Sequence, residues 1–595
     1  MDYKKTACGL DCYDACSIIV EEEFKLRGDT DHPVGNGALC ALLNKYMFET
    51  PRIEKPRVDG KEVTMKEAMA AVAEAFRDKK SLLWRGSGNM GVMQEITDLF
   101  MEKIGGTLTK GSLCDGAGDA GILLGRGINR NLPPEQIAKA DTVVVWGRNV
   151  TVTNSHILPY LEGKHIVVID PVKTAIAKKA DLHLQITPRT DYYIAIMLAR
   201  FIFMEDSENI EWMDEFAPEY EDFYDYTREH RIKAILAYIG VDLGDMGRMM
   251  NYLRDRKVVF LVGNGIQKYS IGSYAMHAID SLAATLGLFG REGCGVSYLS
   301  NSKLGFENPF KVNCPRVPKA TTEFSKFETV LVQGGNPAES MPDTNRVREE
   351  LEAVENLIYF GLYENETSKM ARIVIPAKNF FEKEDVRLSY GHQYVQRMHK
   401  VAEASYGISE YDFTKKLFDT FGFDGLENES DYIESWLEQC PQEEGHYISP
   451  AHQERPYEEG FGEAEDEFEF IEDYEDDFIN TKRFRKYRKE SQNKPKDETF
   501  WLLTPKAAKS LNTQFVRDTH VALHPELGYA EGEKVRLSSE HGSHIFTVKC
   551  NEDLRTDCVL VTSNTIGVNY LTPSILSEEG ENACYQEVKV RIERI

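Results

Sequence analysis

The sequence of 595 residues has no long apolar run and no excess of positive charge. Its longest apolar stretch, residues 192–204, contains Arg200 and is shorter than the roughly 20 residues that a membrane-spanning helix needs. Asp and Glu number 97 against 70 Lys and Arg, which gives a formal net charge of −27. Nucleic acids and anionic membranes both attract cationic surfaces. We therefore expect no nucleic-acid partner and no direct membrane insertion.

The N-terminal residues carry no recognisable export signal. The first ten residues, MDYKKTACGL, lack the apolar core of a secretory signal and the paired arginines of a twin-arginine signal. We expect a cytoplasmic protein, in which thiols stay reduced. Its 11 cysteines then favour metal binding over disulfides, above all where they cluster.

Short β-rich stretches alternate with amphipathic stretches through most of the chain. The predicted buried strands are DTVVVWG (141–147), HIVVIDP (165–171), KVVFLVGNG (257–265), ETVLVQGGN (328–336) and ARIVIPA (371–377). Residues 64–78, 273–287 and 343–355 have the spacing of helices with one apolar face. Such alternation predicts α/β units built on parallel sheets.

Two compositional changes mark the last part of the chain. Dense acidic and then basic runs lead us to interpret residues 426–497 as a charged insert or linker. A flexible surface loop is one interpretation, and a docking surface for a partner subunit is the other. The aromatic residues that would anchor such a partner are Phe468, Phe470, Tyr474 and Phe478. In residues 498–595, short alternating strands broken by Gly, Asn and Asp predict a compact β-barrel.

Four cysteines cluster in the first 40 residues, at Cys8, Cys12, Cys16 and Cys40. Three closely spaced thiolates and a distant fourth can surround a [4Fe–4S] cluster, which takes four Cys ligands. A zinc site is the alternative, although zinc knuckles more often show two C-x2-4-C pairs. The spacing favours the cluster and leaves zinc open.

Several segments resemble, in the same order, those of the molybdopterin oxidoreductase family, the superfamily of dimethyl-sulfoxide reductase and formate dehydrogenase. They are CGLDCYDAC, HPVGNGALC, TPRIEKPRVDGK, GSLCDGAGDAG, ADTVVVWGRNVTVTNSHILPYL, VVIDPVKTAIAKKADLHLQITPRTD, VQGGNPAESMPD, ETSKMARIVIPAKNFFEKED and HPELGYAEGEKVRLSSEHG. The resemblance covers nearly the whole chain outside residues 426–497. It implies a multidomain α/β architecture with a small N-terminal Fe–S module (1–55), two interleaved Rossmann-like dinucleotide-binding α/β domains (56–425) and a C-terminal β-barrel (498–595).

The resemblance also implies a cofactor, bis-molybdopterin guanine dinucleotide carrying molybdenum or tungsten. Its two pyrophosphates need two strand–turn–helix sites, expected near residues 141–191 and 257–385, where glycine lets the backbone approach a phosphate. Asp170 is placed like an acid that binds ribose, and Asp191 like one that pairs with guanine. The expected cofactor-binding residues are Gly147, Asn149, Asp170, Asp191, Gly263, Gly265, Gly334, Gly335, Asn336, Thr504 and Asn569.

The metal ligand that the resemblance implies is Cys114, in the glycine-rich loop SLCDGAGDAG. A thiolate suits molybdenum or tungsten, and a small buried core thiol is the alternative. Asp115 follows it where formate-oxidising members of the family carry His, and we expect both residues to be catalytic. An acid beside the metal would repel formate, so this substitution predicts weak or no formate oxidation.

Two further departures concern electron transfer and cofactor binding. Leu42 stands two residues after Cys40, where many members of the family place Lys or Arg between the cluster and the pterin. Arg189 replaces the glycine of the family's P-G-T-D turn. Both changes leave the cofactor framework in place and weaken the expectation of ordinary catalysis.

These features leave three functions open. The first is a catalytic molybdenum or tungsten oxidoreductase that acts on a small molecule and passes electrons through one [4Fe–4S] cluster to a partner subunit; a formate dehydrogenase subunit is its variant despite Asp115 and Leu42. The second is an electron-transfer subunit of a respiratory complex, like that of complex I, with a relict pterin site. The third is a zinc-stabilised binding scaffold, against which the cofactor loops argue.

Overall fold

The computed structural model describes residues 4–229, 231–462, 467–472 and 498–595. The chain begins with a small antiparallel sheet of three strands, β1 (Lys4–Ala7), β2 (Ser17–Val20) and β3 (Leu26–Gly28). The loop from Cys8 to Cys16 connects β1 to β2, and the amide of Cys8 donates to the carbonyl of Cys16 at 2.9 Å. Three of the clustered cysteines therefore lie on one hairpin loop.

The remaining elements follow in chain order. Further strands are β4 (Arg57–Val58), β5 (Lys61–Glu62), β6 (Ser81–Arg85), β7 (Thr107–Lys110), β8 (Thr142–Trp146), β9 (His165–Ile169), β10 (Leu182–Leu184), β11 (Val258–Val262), β12 (Gly295–Ser297), β13 (Arg316–Pro318), β14 (Thr329–Gln333), β15 (Asn356–Gly361), β16 (Ile373–Pro376), β17 (Asp385–Arg387), β18 (Tyr394–Met398), β19 (Gln442–Glu443), β20 (His446–Ile448), β21 (Phe500–Leu503), β22 (Ser510–Leu511), β23 (Gln514–Phe515), β24 (His520–Leu523), β25 (Lys534–Ser538), β26 (Ser543–Cys550), β27 (Cys558–Leu560) and β28 (Lys589–Arg594).

The helices are α1 (Met47–Glu49), α2 (Met65–Phe76), α3 (Thr97–Lys103), α4 (Gly116–Arg126), α5 (Pro134–Ala138), α6 (Val150–Thr153), α7 (Asp191–Met204), α8 (Ile210–Phe216), α9 (Tyr220–Glu229), α10 (Ile232–Ile239), α11 (Leu243–Leu253), α12 (Gly272–Thr285), α13 (Pro337–Ser340), α14 (Thr344–Glu352), α15 (Glu366–Met370), α16 (Glu410–Phe421) and α17 (Glu429–Leu437). The five predicted strands and three predicted helices are confirmed, with ends that differ by up to three residues.

Two predominantly parallel sheets organise the middle of the chain. The larger has eight strands in the order β13-β7-β6-β14-β15-β16-β4-β5, and the smaller has five in the order β10-β9-β8-β11-β12. Their central strands are fully buried, as in β8, β11 and β14. Helices cover both faces of such sheets, so near-continuous runs of Val, Leu and Ile are stable there. The predicted α/β architecture is confirmed at this level.

The longest apolar stretch of the sequence forms α7, a buried helix of the smaller sheet's domain. α7 packs against α12, and both helices are buried along most of their length. In the described part of the chain, no helix is long and apolar enough to cross a membrane.

The C-terminal residues close into a barrel with strand order β21-β27-β24-β26-β25-β28. β21 pairs with β27 on one side and with β28 on the other, so the last strand completes the barrel. Its interior is filled by apolar side chains, among them Leu502, Val535 and Val559. The predicted barrel is confirmed.

The interpretation of residues 426–497 as a flexible surface loop is wrong for the described residues 426–462 and 467–472, whereas their assignment to an insert stays a prediction. α17 buries Trp436 completely against the larger sheet's domain, and Phe461 and Phe468 are buried beside α12. Phe470 stacks on Phe223 with ring centroids 4.7 Å apart. Buried aromatic contacts of this kind outweigh the solvation of neighbouring acids. Phe468 and Phe470 are therefore core residues rather than anchors for a partner, while Tyr474 and Phe478 lie outside the described residues.

Candidate functional site

A cavity of about 1300 Å³ lies where the two sheets and the barrel meet. It is larger than most small-molecule pockets, which range from roughly 300 to 1,000 Å³. Segments far apart in the sequence line it: the cysteine loop, the ends of β6, β7, β11 and β14, and the barrel. Such a space suits a large cofactor held between domains.

Cys114 lies on the wall of this cavity, two residues before α4. Its amide donates to Ser112 Oγ at 2.9 Å, and Asn264 Nδ2 lies 3.1 Å from its Sγ. Gln267 donates a hydrogen bond to the carbonyl oxygen of Cys114. Burial raises the pKa of the thiol to about 12, and the neighbouring Lys506 lowers it only in part. The side chains around Cys114 thus fix a thiol whose charged form needs a compensating cation.

Asp115 lines the same cavity, and Ser112 Oγ donates to its Oδ1 at 2.6 Å. Burial raises the pKa of this carboxyl above its ordinary value, and the nearby Asp11 raises it further. Asp11 accepts hydrogen bonds from Ser87 Oγ at 2.6 Å and from the Tyr390 hydroxyl at 2.9 Å. Two carboxyl groups therefore face the space beside Cys114. The sequence analysis overlooked Asp11, although its position between two clustered cysteines was a usable signal.

The turn after β14 opens on the cavity through Gly334, Gly335 and Asn336. Gly334 has a φ of +60°, and a Cβ on Gly335 would stand 2.4 Å from the ring of Trp84, so both positions require glycine. Asn336 Nδ2 donates to Thr513 Oγ1 of the barrel at 3.2 Å. The two glycines let a ligand approach the backbone closely, and Asn336 links the turn to the barrel region by a hydrogen bond.

The barrel contributes two of the predicted residues to the cavity, Thr504 and Asn569. Asn569 Nδ2 donates to the carbonyl of Glu339 at 2.8 Å, and Lys268 Nζ donates to the carbonyl of Thr504 at 2.7 Å. Burial lowers the pKa of Lys268 to about 7, and the neighbouring Lys506 lowers it as well. The sequence analysis did not single out these lysines, because no local pattern marks a buried cation.

The turns after β8 and β11 pack on each other. A Cβ on Gly263 would stand 2.5 Å from the carbonyl oxygen of Gly147, and one on Gly265 would stand 2.7 Å from it. Asn149 lies two residues after Gly147, at the start of α6. Among the described residues that line the large cavity, none of these four appears. Whether this turn binds a phosphate therefore remains a prediction.

Asp170 and Asp191 also lie on the smaller sheet's side, and neither lines the large cavity among the described residues. Trp146 Nε1 donates to Asp191 Oδ1 at 2.8 Å, and burial raises the pKa of Asp191 to about 6. Burial likewise raises the pKa of Asp170 to about 7, and the charge of Asp191 raises it further. The two acids are close enough to affect each other, as a shared ribose and guanine site requires.

The two halves of the molecule repeat one arrangement that the sequence analysis missed. The amide of Gly265 donates to the carbonyl of Gly147 at 3.1 Å, and the amide of Gly88 donates to the carbonyl of Gly334 at 2.9 Å. Gly86 and Gly88 after β6 thus correspond to Gly263 and Gly265 after β11. The segment RGSGN, directly after the apolar residues LLW, was the signal for this second glycine pair.

The four clustered cysteines share one buried neighbourhood. Burial raises the pKa of Cys8 to about 12, and Cys40 raises it further. Burial also raises the pKa of Cys16 well above its ordinary value, and the neighbouring Cys8 raises it further. Among the described residues, no three His, Cys, Asp or Glu side chains converge as ligands of one ion.

Buried polar residues hold the cysteine loop against the rest of the protein. Arg387 donates to the carbonyls of Cys8, Leu10 and Cys12 at 3.1 to 3.3 Å. Asp14, in the same loop, pairs with His156 Nδ1 at 2.8 Å. These contacts come from β17, which lies in a four-stranded sheet with β18, β20 and β19, and from the segment after α6, so two separate parts of the fold fix the position of the loop.

The fold and the site define a class of protein, an α/β scaffold with a barrel and a large cavity beside a cysteine-rich loop. The sequence model of the family described as "Molybdopterin oxidoreductase" matches residues 52–412. This match covers more than half of the chain, which therefore belongs to the molybdopterin oxidoreductase family. The family implies a molybdenum or tungsten bis-pterin cofactor.

Several relatives have oxidoreductase names. The chain is 26% identical over 452 residues to the probable oxidoreductase YoaE of Bacillus subtilis, covering 68% of this chain and 66% of that protein. It is 22% identical over 481 residues to the F420-dependent formate dehydrogenase subunit alpha of Methanocaldococcus jannaschii, covering 70% and 69%. It is 22% identical over 429 residues to the assimilatory nitrate reductase catalytic subunit of Bacillus subtilis, covering 62% and 60%. The chain thus spans about two thirds of the length of these relatives.

The fold is similar to that of a solved structure, acetylene hydratase from Pelobacter acetylenicus. The TM-score is 0.78 at 13% sequence identity, and the likeness covers 100% of both chains. At this identity the likeness concerns the fold, including the multidomain α/β arrangement.

Proposed function

We propose that this chain is the catalytic subunit of a molybdenum or tungsten oxidoreductase that holds bis-molybdopterin guanine dinucleotide. Cys114 is the protein ligand of the metal in this proposal. The observation that carries it is that Cys114, Asp11 and Asn336, from three distant segments, line one cavity. A metal thiolate, a carboxyl group beside it and a dinucleotide turn are the parts that such an enzyme needs.

The residues of the cavity fit a large polar cofactor. Buried polar atoms in proteins nearly always have hydrogen-bond partners. Several atoms on the cavity wall are buried and have no partner within the described protein: Trp84 Nε1, Arg85 Nε, Asn89 Oδ1, Asn264 Oδ1, Gln333 Oε1, Thr504 Oγ1 and Ser563 Oγ. Pterin rings, ribose and phosphates would supply partners for such a set. Arg348, Lys369 and Arg517 line the same cavity and suit the phosphates.

When bound, the metal group supplies two-electron redox chemistry. The chain's own residues orient the ligand and handle protons. Asn264 and Gln267 hold Cys114 in place, and Asp11 keeps its orientation through Ser87 and Tyr390. Because burial raises the pKa of Asp115, this carboxyl holds a proton more readily than an exposed acid does.

We further propose that Cys8, Cys12, Cys16 and Cys40 bind a [4Fe–4S] cluster that passes electrons singly to a partner subunit. The relatives named as an alpha subunit and a catalytic subunit support a partner. We propose a cytoplasmic location, since all 11 cysteines are unpaired. Fe, Mo, W and Zn should be counted per chain in protein purified without air. We expect about four Fe with one Mo or W, and stoichiometric Zn without Fe would refute the cluster.

The substrate that we propose is uncharged or contains sulfur, because the Asp115 carboxyl stands beside the metal ligand where formate-oxidising members of the family carry His. A dye-linked assay should compare formate with polysulfide, thiosulfate, N-oxides and S-oxides. We expect at most weak formate oxidation by the natural protein and a gain in Asp115→His. Asp119→His, one helical turn further along α4, is the matched control and should show no such gain. Rapid formate turnover by the natural protein would restore formate dehydrogenase as the function.

A further inference from the structure

Position 42 does not supply the cation that many members of the family place between the cluster and the pterin. Leu42 is a partly buried apolar residue packed against the core of the larger sheet's domain. The nearest cation in sequence, Lys45, is exposed and lies over the ring of Tyr46 at 5.4 Å. Position 42 therefore contributes no positive charge to the surroundings of the proposed cluster.

Arg148 is a buried cation next to the cysteine loop. It is 3% exposed and follows Gly147 in the turn after β8, where the repeated arrangement has Gly335. Its guanidinium lies 4.0 Å from the ring centroid of Tyr13, which stands between Cys12 and Cys16. The turn after β8 thus carries Arg148 at the position of Gly335 in the related turn. The long cationic side chain of Arg148 contacts the cysteine loop.

The side chains that accept hydrogen bonds from Arg148 among the described residues are neutral, although Asn154 in turn donates to the carboxylate of Asp14. Arg148 Nη2 donates to Asn154 Oδ1 at 2.7 Å, and Ser297 Oγ lies 3.5 Å from Nη1. Its Nε is buried without a hydrogen-bond partner. In the ranges that the structure describes, no carboxylate forms an ion pair with it; the nearby Asp14 pairs with His156 instead. A buried guanidinium without an anion is costly, which points to a negative group that the polypeptide does not provide.

Tyr13 connects Arg148 to both redox positions. Its ring packs edge-on against Tyr390 with centroids 5.3 Å apart, and Tyr390 holds Asp11 in the cavity beside Cys114. Tyr13 is also close enough to Cys12 and Cys114 for both thiols to act on it electrostatically. Arg148 therefore lies beside the cysteine loop, on a residue of that loop that also neighbours Cys114.

We propose that Arg148, stacked on Tyr13, is the positioning residue that places a positive charge beside the [4Fe–4S] cluster, in place of the cation absent at position 42. This inference rests on the proposed function, since it requires the cluster. Adding an electron makes the cluster more negative, and a nearby buried cation stabilises that state. Net charge around a cluster is one of the factors that set its reduction potential. Arg148 thereby raises the potential and favours electron transfer from the metal to the cluster.

The test is an EPR-monitored redox titration of the cluster in anaerobically purified holoprotein. We expect Arg148→Gln to shift the midpoint to a more negative potential and Arg148→Lys to restore most of the difference. Lys45→Gln removes an exposed cation near Cys40 and is the matched control, for which we expect no shift. Iron content and melting temperature show whether each variant is assembled.

Ser297→Asp provides a second route if Arg148→Gln does not fold. It leaves Arg148 in place and puts a carboxylate beside Nη1, so we expect it to lower the midpoint in the same direction. Unchanged midpoints in Ser297→Asp and in any folded Arg148→Gln protein would overturn the inference while leaving the proposed function intact. A shift in Lys45→Gln as large as that in Arg148→Gln would overturn it too. The absence of any iron–sulfur signal in the natural protein would instead refute the cluster, and the inference with it.

Discussion

Cys114 is fixed by three neighbouring side chains, and its thiol faces the cavity. We predict that Cys114→Ala abolishes dye-linked turnover while the EPR signal of the reduced cluster persists, because the cysteine loop is a separate segment. Cys294→Ala, a buried thiol away from the cavity, is the matched control and should keep most of its activity. Full activity of Cys114→Ala would show that the Cys114 thiolate is not a ligand of the metal.

Arg126 and Asp280 form an ion pair between α4 and α12, and both side chains are almost completely buried. We predict that Arg126→Met lowers the free energy of unfolding by roughly 3–5 kcal/mol, because it leaves a buried carboxylate without its partner. Arg248→Met removes an exposed partner of Asp245 and should cost at most about 1 kcal/mol. Chemical denaturation of both variants measures the difference, and equal losses would contradict the prediction.

At the scale of single residues, the sequence predicted those that carry a local pattern. Cys114, Gly334 and Asn336 stand in recognisable turns and do line the cavity. Asp11 and Arg148 were not predicted, because the residues that contact them, such as Tyr390 and Tyr13, are distant in the sequence. Such contacts depend on the tertiary fold, and no spacing rule in one sequence encodes them.

At the scale of elements, residues 426–472 show how charge can mislead. Phe468 is buried against Phe289, with ring centroids 5.8 Å apart, and against Phe461. We predict that Phe468→Ala lowers the free energy of unfolding by roughly 3–5 kcal/mol, as is typical for a buried Phe. Phe48→Ala, at a side chain that is 52% exposed, should change it by no more than about 0.5 kcal/mol. Thermal or denaturant unfolding measures both changes. An unchanged free energy of unfolding in Phe468→Ala would restore the interpretation of this segment as a loop.

The strands that the sequence predicted correctly share one property, burial on both faces. β8 and β14 are continuous apolar runs bounded by glycine turns, and such runs specify a central parallel strand almost unaided. α17 was missed because Glu429, Asp431 and Glu434 give its sequence an acidic character. Its apolar side chains are fewer but fully buried, and a compositional average hides their periodicity.

At the scale of the whole molecule, hydrogen bonds beside the cavity join the C-terminal barrel region to the larger sheet's domain. Arg517 pairs with both carboxylate oxygens of Glu339 at 2.6 Å, and Asn569 donates to the carbonyl of the same residue. A cofactor bound between these parts would stabilise the native state only when it is present.

We therefore predict that protein made without the pterin cofactor melts at a lower temperature than the loaded protein, and that its barrel is cleaved first by protease. Differential scanning fluorimetry and limited proteolysis with mass spectrometry measure both effects. The iron content of the two preparations should match, so that the cluster is not the cause. Equal melting temperatures and equal cleavage patterns would show that the cofactor does not bridge the barrel and the sheets.

The pairing of β21 with β28 has a consequence for how the protein matures. The barrel closes only after residues 589–594 have been synthesised, and translation of the stretch from β21 onwards takes roughly 5–20 s at ordinary elongation rates. During that interval the groove between the sheets is still open to a bulky dinucleotide. Under the proposed function, a cofactor that arrives later would bind only after the barrel had separated from the sheets. The supply of finished cofactor, more than the rate of translation, would then determine how many chains become active.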